Sequence, residues 1–520
     1  MNPTDAIPLL HDHLLRAAAR LPDKVAVICG DERVSYGELA RRARALAGTL
    51  AARGVRRGDR VVVFGDNTVA TVVSFWAALA ANAVVSVVNP QTKTDKLTYL
   101  LNDCRARAVI SDAHLAHVFA PAVARAPHVE LVIVSGELTG RARELVAPLP
   151  GALAWADAIA AGEPPRRACL DVDLAAIIYT SGSTGDAKGV MLTHRNMLTA
   201  CASISTYLEV AEDEIILCVL PLAFDYGLYQ MIMAVARGAT IVLERSFVFP
   251  AQVLAKVVAE KVTAFPGVPT IFAVMAGMST LGQYDFSAIR YVTNTAAALP
   301  VKHITMLRGL FPKARIYSMY GLTECKRCTY LPPADIDRKP ESVGVAIPNT
   351  ELWLVDEHDR RVGPGEVGQL VIRGATVMRG YWEKPEETAK KLRPGPLPGE
   401  LVLYTGDLCR LDDEGYLYFV GRMDDIIKSR GEKVAPKEVE AAIVAIAGVR
   451  ECAVIGVPDD VLGQAVKAFV VLEPGTALDA RAIQQACAAR LESFMVPKHV
   501  EIVAELAKGA TGKIQKTGLA

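Results

Sequence analysis

Short runs of Val and Ile alternate with Ala- and Leu-rich stretches of helical spacing along the first two thirds of the chain. Helical patterns such as YGELARRARALAGTLAARG flank these runs. Runs that are apolar on both faces and separated by helices are typical of parallel β-sheets covered by helices, so we predict a large layered α/β body. The predicted strands are residues 59–65, 107–112, 129–136, 239–244, 263–269 and 314–321.

The pattern changes from about Pro348 onward. Two segments, TELWLVDEHDRRVGPGEVGQLVIRG and EGYLYFVGR, alternate apolar and polar residues between Gly-containing turns, which predicts antiparallel hairpins. Beyond these hairpins follows a mixture of helix and strand patterns of the size of one small domain. We place the boundary near residues 422–424, which gives an N-terminal core of residues 1–422 and a C-terminal domain of residues 423–520.

One uncharged segment, residues 68–88, is long enough to cross a bilayer. Thr, Ser and Asn recur within it, Ala dominates its first part, β-branched residues dominate its second part, and Asn89 and Pro90 end it. This composition is typical of a buried helix followed by a buried strand. We therefore expect no membrane span.

The composition narrows the class of protein further. A chain of 520 residues exceeds what one hydrophobic core organises, so at least two domains are expected. Its 57 basic residues balance its 57 acidic residues, so no net charge is available to attract nucleic acid, and no such partner is expected. The cysteines have no regular spacing and no export signal precedes them, which indicates reduced thiols in a cytoplasmic protein. The oligomeric state stays open, with a homodimer as one form.

A loop rich in hydroxyl groups and glycines lies in the stretch IIYTSGSTGDAKGVMLTH, residues 177–194. Small residues let backbone amides approach an anion, hydroxyl groups add donors, and Lys188 supplies a mobile positive charge. The residue order of a Walker A motif is absent. The alternative is a mobile surface turn, but the density of phosphate-suited residues favours a polyphosphate site. These residues are Thr180, Ser181, Gly182, Ser183, Thr184, Gly185 and Lys188.

Three further motifs carry candidate binding residues. In YSMYGLTECKR, Glu324 is a candidate magnesium ligand, because a carboxylate beside bound triphosphate needs a cation between them, and Tyr320 could stack on a base. The alternatives are a core tyrosine and a capping acid. In YTGD, Asp407 follows a Thr and Gly turn, where it could accept both hydroxyl groups of a ribose or serve as a turn residue. In GATGKIQKTG, Lys513 could reach a distant anion or belong to a solvated tail.

Taken together and in this order, YTSGSTGDAKGV, YGLTE, YTGD, GRMDDIIKSRGEKVAPKEVE and ATGKIQK resemble the core motifs of the adenylate-forming superfamily. That superfamily contains acyl- and aryl-CoA synthetases, carrier-loading adenylation domains and firefly-type luciferases, and the resemblance covers nearly the whole chain. It implies an ATP-dependent acid:thiol ligase that forms acyl-AMP and pyrophosphate and then transfers the acyl group to CoA. The alternatives are a stand-alone adenylation enzyme that loads an amino or small polar acid onto carrier-protein phosphopantetheine and, more distantly, a non-catalytic nucleotide-binding protein.

The resemblance assigns a role to each motif. The loop of residues 180–188 would hold the β- and γ-phosphates of ATP, Glu324 would hold Mg²⁺, and Thr323 would contact the α-phosphate. Lys513 would bridge the substrate carboxylate and the α-phosphate, because a carboxylate that attacks a phosphate meets like charge. The nucleoside would be bound by Ala296, Ala297, Ala298, Tyr320, Gly321, Asp407 and Arg422.

The resemblance also implies an architecture. A large N-terminal domain of helix-covered parallel sheets, with a small β-barrel-like part, would bind ATP and the acid. A small mobile α+β C-terminal domain would act as a lid and rotate between the two half-reactions. Asp424 matches the hinge, Gly431 matches the loop that lines the path of the thiol, and Lys513 would serve adenylation only.

The acid pocket departs from the pattern of many CoA ligases. The segment PLAFDYG places Phe224 at the gating position, and Asp225 matches the aspartate that binds the substrate ammonium in amino-acid-activating relatives. A hydrogen-bonded cap or a buried pair with Lys326 or Arg327 is the alternative role of Asp225. Thr295 also replaces a glycine that is common in CoA ligases, so a simple fatty-acid tunnel is not expected.

Overall fold

The computed structural model of this chain describes residues 9–180, 187–295, 299–429, 432–459, 462–491, 493–508, 514–516 and 518–519, with the backbone alone at positions 424, 428, 432, 433 and 463. The contacts divide the chain into two compact units. The first comprises Met1–Pro340, Ala346–Glu351 and Arg373–Leu401, and the second comprises Glu341–Val345, Leu352–Ile372 and Val402–Ala520. The division expected between residues 422 and 423 stays a prediction.

Several helices begin where the sequence supplies a capping side chain. The Ser35 hydroxyl accepts a hydrogen bond from the backbone N–H of Glu38, and the Thr68 hydroxyl accepts one from Thr71. In the described residues the α-helices are α1 (Asp12–Arg20), α2 (Tyr36–Ala52), α3 (Val69–Ala80), α4 (Thr94–Asp103), α5 (Ala116–Val123), α6 (Gly140–Val146), α7 (Trp155–Ala158), α8 (His194–Tyr207), α9 (Asp225–Arg237), α10 (Pro250–Ala259), α11 (Pro269–Ala276), α12 (Val301–Leu310), α13 (Pro385–Lys391), α14 (Pro436–Val444) and α15 (Ala480–Ala488).

The strands of the described residues include one at each of the six apolar runs predicted above, and others that were not predicted. They are β1 (Val25–Cys29), β2 (Glu32–Ser35), β3 (Arg60–Phe64), β4 (Val84–Val88), β5 (Ala106–Asp112), β6 (Leu131–Ser135), β7 (Leu153–Ala154), β8 (Leu174–Thr180), β9 (Lys188–Thr193), β10 (Ile215–Cys218), β11 (Thr240–Leu243), β12 (Ala264–Gly267), β13 (Tyr291–Asn294), β14 (Arg315–Leu322), β15 (Lys326–Leu331), β16 (Val345–Ala346), β17 (Thr350–Val355), β18 (Val367–Gly374), β19 (Gly380–Tyr381), β20 (Leu392–Pro394), β21 (Leu401–Leu411), β22 (Leu417–Arg422), β23 (Ile427–Ser429), β24 (Glu432–Val434), β25 (Val449–Asp459), β26 (Gly463–Leu472) and β27 (His499–Ile502).

Two largely parallel sheets organise the first unit. One runs in the order β15-β14-β13-β12-β10-β11-β1-β2, with antiparallel pairs only at its ends. The other runs in the order β19-β9-β8-β4-β3-β5-β6-β7, where β19, β9 and β8 are antiparallel and the remaining pairs are parallel. Helices α4 and α5 pack on this second sheet around Phe64, Phe119 and Val109, which are fully buried. The predicted α/β class of this part is therefore confirmed.

The second unit is built from antiparallel pairs and a small α+β layer. Strands β17 and β18 are neighbours in one sheet and β22 pairs antiparallel with β21, as the two predicted hairpin segments require, and β18 also pairs antiparallel with the more distant β21. Beyond them, β24, β23, β26 and β25 form an antiparallel sheet, and β27 pairs in parallel with β26. Helices α14 and α15 cover this sheet through a core that includes Val439, Ile443 and Ile483.

The uncharged segment of residues 68–88 forms helix α3 and strand β4, both of which are buried, so its interpretation as an interior helix and strand is confirmed. None of the helices in the described part of the chain combines the length and the hydropathy that a membrane crossing requires.

Candidate functional site

The glycine-rich loop joins the two strands of an antiparallel hairpin. Thr180 at the end of β8 pairs in register with Lys188 at the start of β9, and the Thr180 hydroxyl donates to the carbonyl oxygen of Lys188 over 3.5 Å. The predicted phosphate-binding residues Ser181, Gly182, Ser183, Thr184 and Gly185 lie outside the described residues. The structure thus fixes both ends of the loop and presents Lys188 at one of them.

The Lys188 ammonium has two neighbours from a segment about two hundred residues later in the sequence. Its Nζ donates to Oε2 of Glu387 in α13 over 2.5 Å and lies 5.7 Å from the centre of the Tyr381 ring. The pKa of Glu387 is lowered to about 2, because Lys188 and Lys390 both donate to its carboxylate. Glu387 is therefore held ionised as a counter-ion for the predicted phosphate-binding lysine.

Tyr381 connects Lys188 with Glu324. Strand β19 pairs with β9, so that Tyr381 lies opposite Val190. The Tyr381 hydroxyl donates to Oε1 of Glu324 over 2.7 Å, while Lys188 lies over the ring of the same tyrosine. One aromatic side chain therefore places the predicted phosphate ligand and the predicted magnesium ligand at the same site.

Sequence reasoning missed Tyr381 and Glu387. The sequence offered only a weak signal, the triplet Gly-Tyr-Trp followed by an acidic helical start. Nothing local in that pattern indicates that it pairs with β9.

Glu324 lies in the turn between β14 and β15, next to Thr323, and does not cap a helix as the alternative expected. Tyr320 and Gly321 belong to β14, where the register shifts against β15. A Cβ atom on Gly321 would lie 1.9 Å from the carbonyl oxygen of Lys326, a distance that the backbone cannot accommodate. The close approach of the two strands therefore requires glycine at position 321.

Asp225 is the first residue of α9 and is only 7% exposed. Phe224, half-buried, precedes it in an extended conformation and leads into the helix. Among the described residues the Asp225 carboxylate has no hydrogen bond and no ion pair, so both the expected cap and the expected pair with Lys326 or Arg327 are absent there. Asp225 thus makes neither contact within the described residues, although its negative charge acts on Lys326, and its role stays a prediction.

Lys326 and Arg327 are buried cations, 1% and 2% exposed. Lys326 has a left-handed backbone conformation (φ +65°), and the two side chains reach the same helix: Lys326 Nζ lies 5.5 Å from the centre of the Tyr229 ring and Arg327 Cζ lies 4.4 Å from that of Tyr226. Burial lowers the pKa of Lys326 to about 8, although the negative charge of Asp225 opposes the shift.

Several polar atoms of these two cations and of Tyr229 lack hydrogen-bond partners within the described residues. Within the described residues, Lys326 Nζ, Arg327 Nε and Nη2, and the Tyr229 hydroxyl are buried atoms without a hydrogen-bond partner. Such groups carry a high free-energy cost in a protein interior. Thr295, which follows β13, is also buried, whereas Ala296, Ala297 and Ala298 lie outside the described residues.

Asp407 and Arg422 face each other on neighbouring strands of the second unit. They form a register pair between β21 and β22, with Arg422 Nε 3.7 Å from Asp407 Oδ1. The predicted turn before Asp407 is wrong: Thr405, Gly406 and Asp407 lie inside β21, at an irregularity of its pairing with β18. Gly406 takes φ +79° there, which favours glycine, and the Asp407 side chain is nearly fully buried.

The C-terminal candidates are only partly described. Asp424 lies in a 3₁₀ turn, Met423–Asp425, and Gly431 and Lys513 lie outside the described residues. The chain on either side of Lys513 is anchored, because Lys508 forms an antiparallel bridge with Ile514 and Lys516 Nζ lies 2.8 Å from Glu440 Oε1.

Comparison with known proteins identifies relatives along nearly the whole chain. Residues 14–382 match the family described as AMP-binding enzyme, and residues 438–513 match the AMP-binding enzyme C-terminal domain. A long-chain-fatty-acid–CoA ligase of Salmonella typhimurium is 33% identical over 530 residues, covering 97% of this chain and 92% of that protein. A feruloyl-CoA synthase of Amycolatopsis sp. is 34% identical over 505 residues, covering 96% of each chain.

Solved structures give the same picture. The anthranilate CoA ligase AuaEII in complex with anthranoyl-AMP matches with a TM-score of 0.86 at 28% identity, covering 100% of this chain and 98% of that one. ATP-bound MatB from Rhodopseudomonas palustris matches with a TM-score of 0.85 at 28% identity, covering 98% of each chain.

Proposed function

This chain belongs to the AMP-binding enzyme family, and we propose that the residues described above form its ATP and acid site. The protein is an ATP-dependent, AMP-forming carboxylic acid:CoA ligase. In the first step a carboxylate oxygen of the acid attacks the α-phosphorus of ATP, so that acyl-AMP forms and pyrophosphate leaves. In the second step the sulfur of CoA attacks the acyl carbon, a thioester forms and AMP leaves.

The arrangement of Lys188, Tyr381 and Glu324 is the observation that supports this assignment of the site. It sets one ammonium over the Tyr381 ring and one carboxylate at the hydroxyl group of the same side chain, and Lys188 ends a glycine-rich loop. Anionic phosphates are stabilised by a positioned cation and by backbone amides in such a loop. We expect the phosphates of ATP to take the place of Glu387 beside the Lys188 ammonium.

Glu324 fits the role of a magnesium ligand. Its Oε1 is held by Tyr381, and within the described residues its Oε2 has no hydrogen-bond partner, which leaves a carboxylate oxygen for a hard cation. Mg²⁺ bound there would offset the negative charge of the phosphates. Thr323, in the same turn, is proposed to contact the α-phosphate.

The remaining roles stay proposals that rest on the motifs. Asp407 would accept the ribose hydroxyl groups, and its position opposite Arg422 keeps a buried carboxylate near a cation. Lys513 would stabilise the negative charge that develops between the acid and the α-phosphate. The phosphates would be bound by residues 180–185, the acid would lie near Phe224 and Thr295, and the thiol would approach near Gly431. The nucleoside would also be bound by Tyr320, Gly321, Ala296, Ala297 and Ala298.

The test is acid-dependent release of pyrophosphate from ATP, with a panel of fatty, aryl, dicarboxylic and α-amino acids. We expect Glu324→Gln and Lys188→Met each to lower kcat/KM by about a hundredfold, the effect of removing one positioned charge stabiliser. The matched control is Lys313→Met, because Lys313 is an exposed lysine of the first unit. Wild-type release with none of the acids, or release that Glu324→Gln leaves unchanged, would contradict the assignment.

The acceptor is tested by adding CoA or a phosphopantetheinyl carrier protein after acyl-AMP has formed. The proposal predicts the CoA thioester. A thioester formed only on the carrier would favour the stand-alone adenylation enzyme instead.

A further inference from the structure

Several buried hydrogen-bond donors lack acceptors where Lys326 and Arg327 pack against α9. Lys326 Nζ, Arg327 Nε and Nη2, and the Tyr229 hydroxyl have no acceptor among the described residues, and each of these atoms is shielded from solvent. The Lys326 ammonium and the Arg327 guanidinium lie over two tyrosine rings three residues apart on the helix, so both cations face the same stretch of α9.

The local fold creates this convergence. Neighbouring residues of a regular strand point to opposite faces of the sheet. Lys326 instead has φ +65°, and the register of β15 against β14 shifts nearby. A non-glycine residue keeps such a conformation only where the surroundings enforce it, and it is concentrated at functional sites.

The charge of the cluster is unbalanced. Asp225, a buried acid, is the first residue of α9. Within the described residues it forms no ion pair with Lys326 or Arg327. The charge of Glu324 also favours the ammonium form of Lys326, but its carboxylate accepts from Tyr381 and is proposed to hold Mg²⁺, so Asp225 is the carboxylate left to face the two cations. Two buried cations beside one unpaired carboxylate leave a positive excess, which would oppose a substrate ammonium and favour an additional anion.

We infer that the acid substrate carries a second carboxylate, which the side chains of Lys326 and Arg327 bind at the start of α9. The inference rests on the proposed acid site beside Phe224 and Asp225. The second carboxylate supplies the acceptor oxygens that Lys326, Arg327 and the Tyr229 hydroxyl lack, and it balances the charge of the cluster. The flexible lysine side chain lets its ammonium turn toward the ligand.

The same argument separates two classes of acid. An α-amino acid would bring a third cation to the cluster, so the ammonium clamp at Asp225 is disfavoured despite the match of that residue. A monocarboxylic acid would leave the donors unsatisfied, and a buried donor without an acceptor is penalised. A dicarboxylic acid meets both requirements.

The experiment compares each monocarboxylate with the dicarboxylate of equal carbon number, aliphatic and aromatic, by pyrophosphate release. For the best pair we expect kcat/KM to favour the dicarboxylate by about tenfold or more, the contribution of a charge-assisted hydrogen bond. Lys326→Met should lower that ratio by about tenfold, and Arg327→Met should lower it as well. The control Lys313→Met should leave the ratio unchanged.

The outcomes distinguish this inference from the proposed function. Absence of pyrophosphate release with every acid would contradict the proposed function itself. Equal or better use of monocarboxylates, or a dicarboxylate preference that survives both substitutions, overturns the inference alone. Preference for an α-amino acid that Asp225→Asn abolishes also overturns it and restores the ammonium clamp. The wild-type ratio keeps the test decisive even if one variant fails to fold, and thermal unfolding identifies such a variant.

Discussion

At the scale of single residues, the charge of Lys326 changes near physiological pH. Burial lowers its pKa to about 8, so the ammonium predominates below that pH and the neutral amine above it. The pKa is raised by the charges of Asp225, Glu324 and Cys325, which favour the ammonium, and is lowered by Arg327. Tyr229 lies against it from α9.

We therefore predict that the dicarboxylate preference in kcat/KM falls by about tenfold in all as the pH rises through 8 and then levels off, because kcat/KM reports the ionisation of the free enzyme and the loss of charge cannot exceed the effect of Lys326→Met. The measurement is the ratio of kcat/KM for a dicarboxylate and its matched monocarboxylate across pH 6 to 10. The Lys326→Met enzyme should show a flat ratio. A falling ratio in that variant as well would assign the effect to another group.

Sequence reasoning at this scale named Phe224, Asp225 and Thr295 as candidates for the acid pocket but did not show how Lys326 and Arg327 lie relative to α9. It gave a buried pair between Asp225 and Lys326 or Arg327 only as the alternative to an ammonium clamp at Asp225. The structure instead directs both cations toward tyrosines of α9, because Lys326 has a left-handed backbone that no local pattern of the sequence reveals.

At the scale of elements, the β14–β15 hairpin positions Glu324 and Lys326 together. Gly321→Ala would put a Cβ atom 1.9 Å from the Lys326 carbonyl oxygen, so the strands would have to separate. We expect a loss of stability of about 2 kcal/mol or more and a loss of pyrophosphate release, because overpacking against backbone is costly.

The matched control for this prediction is Gly309→Ala in α12, where an added Cβ meets nothing within 4 Å. Alanine is favoured over glycine inside a helix, so this variant should be slightly more stable. Urea unfolding monitored by circular dichroism compares the two variants. Similar midpoints would show that the hairpin tolerates a side chain at position 321.

The elements themselves were largely predictable, since the alternation of apolar runs and helical spacing gives β3, β5, β6, β11, β12 and β14 directly. The pairing of β19 with β9 was not, because it joins segments far apart in the sequence. The irregularity in β21 was also missed, because Thr-Gly-Asp has the composition of a turn.

At the scale of the whole molecule, the proposed alternation of the C-terminal domain gives Lys513 a role in one half-reaction only. Lys513→Ala should slow acyl-AMP formation by about a hundredfold or more. Thioester formation from preformed acyl-AMP and CoA should stay near the wild-type rate. Single-turnover measurements of each half-reaction make the comparison.

The control is Lys508→Ala. Lys508 precedes Lys513 in the same segment, and its ammonium contacts Glu451. It should affect neither half-reaction strongly. An equal loss of both half-reactions in Lys513→Ala would contradict the alternation. The two-part organisation that underlies this prediction follows from chain length and from the change of pattern near Pro348, whereas any rotation leaves no trace in local sequence periodicity.

The pair between Lys188 and Glu387 has a consequence for which anions reach the site. Glu387 belongs to the same molecule, so it competes with every incoming anion at a high effective concentration. A singly charged ion such as chloride gains little by displacing it, whereas a triphosphate brings several charges at once. The Glu387 carboxylate therefore lets multiply charged anions bind beside Lys188 in preference to singly charged ones. This selection by ligand charge is independent of any contact with the nucleotide base.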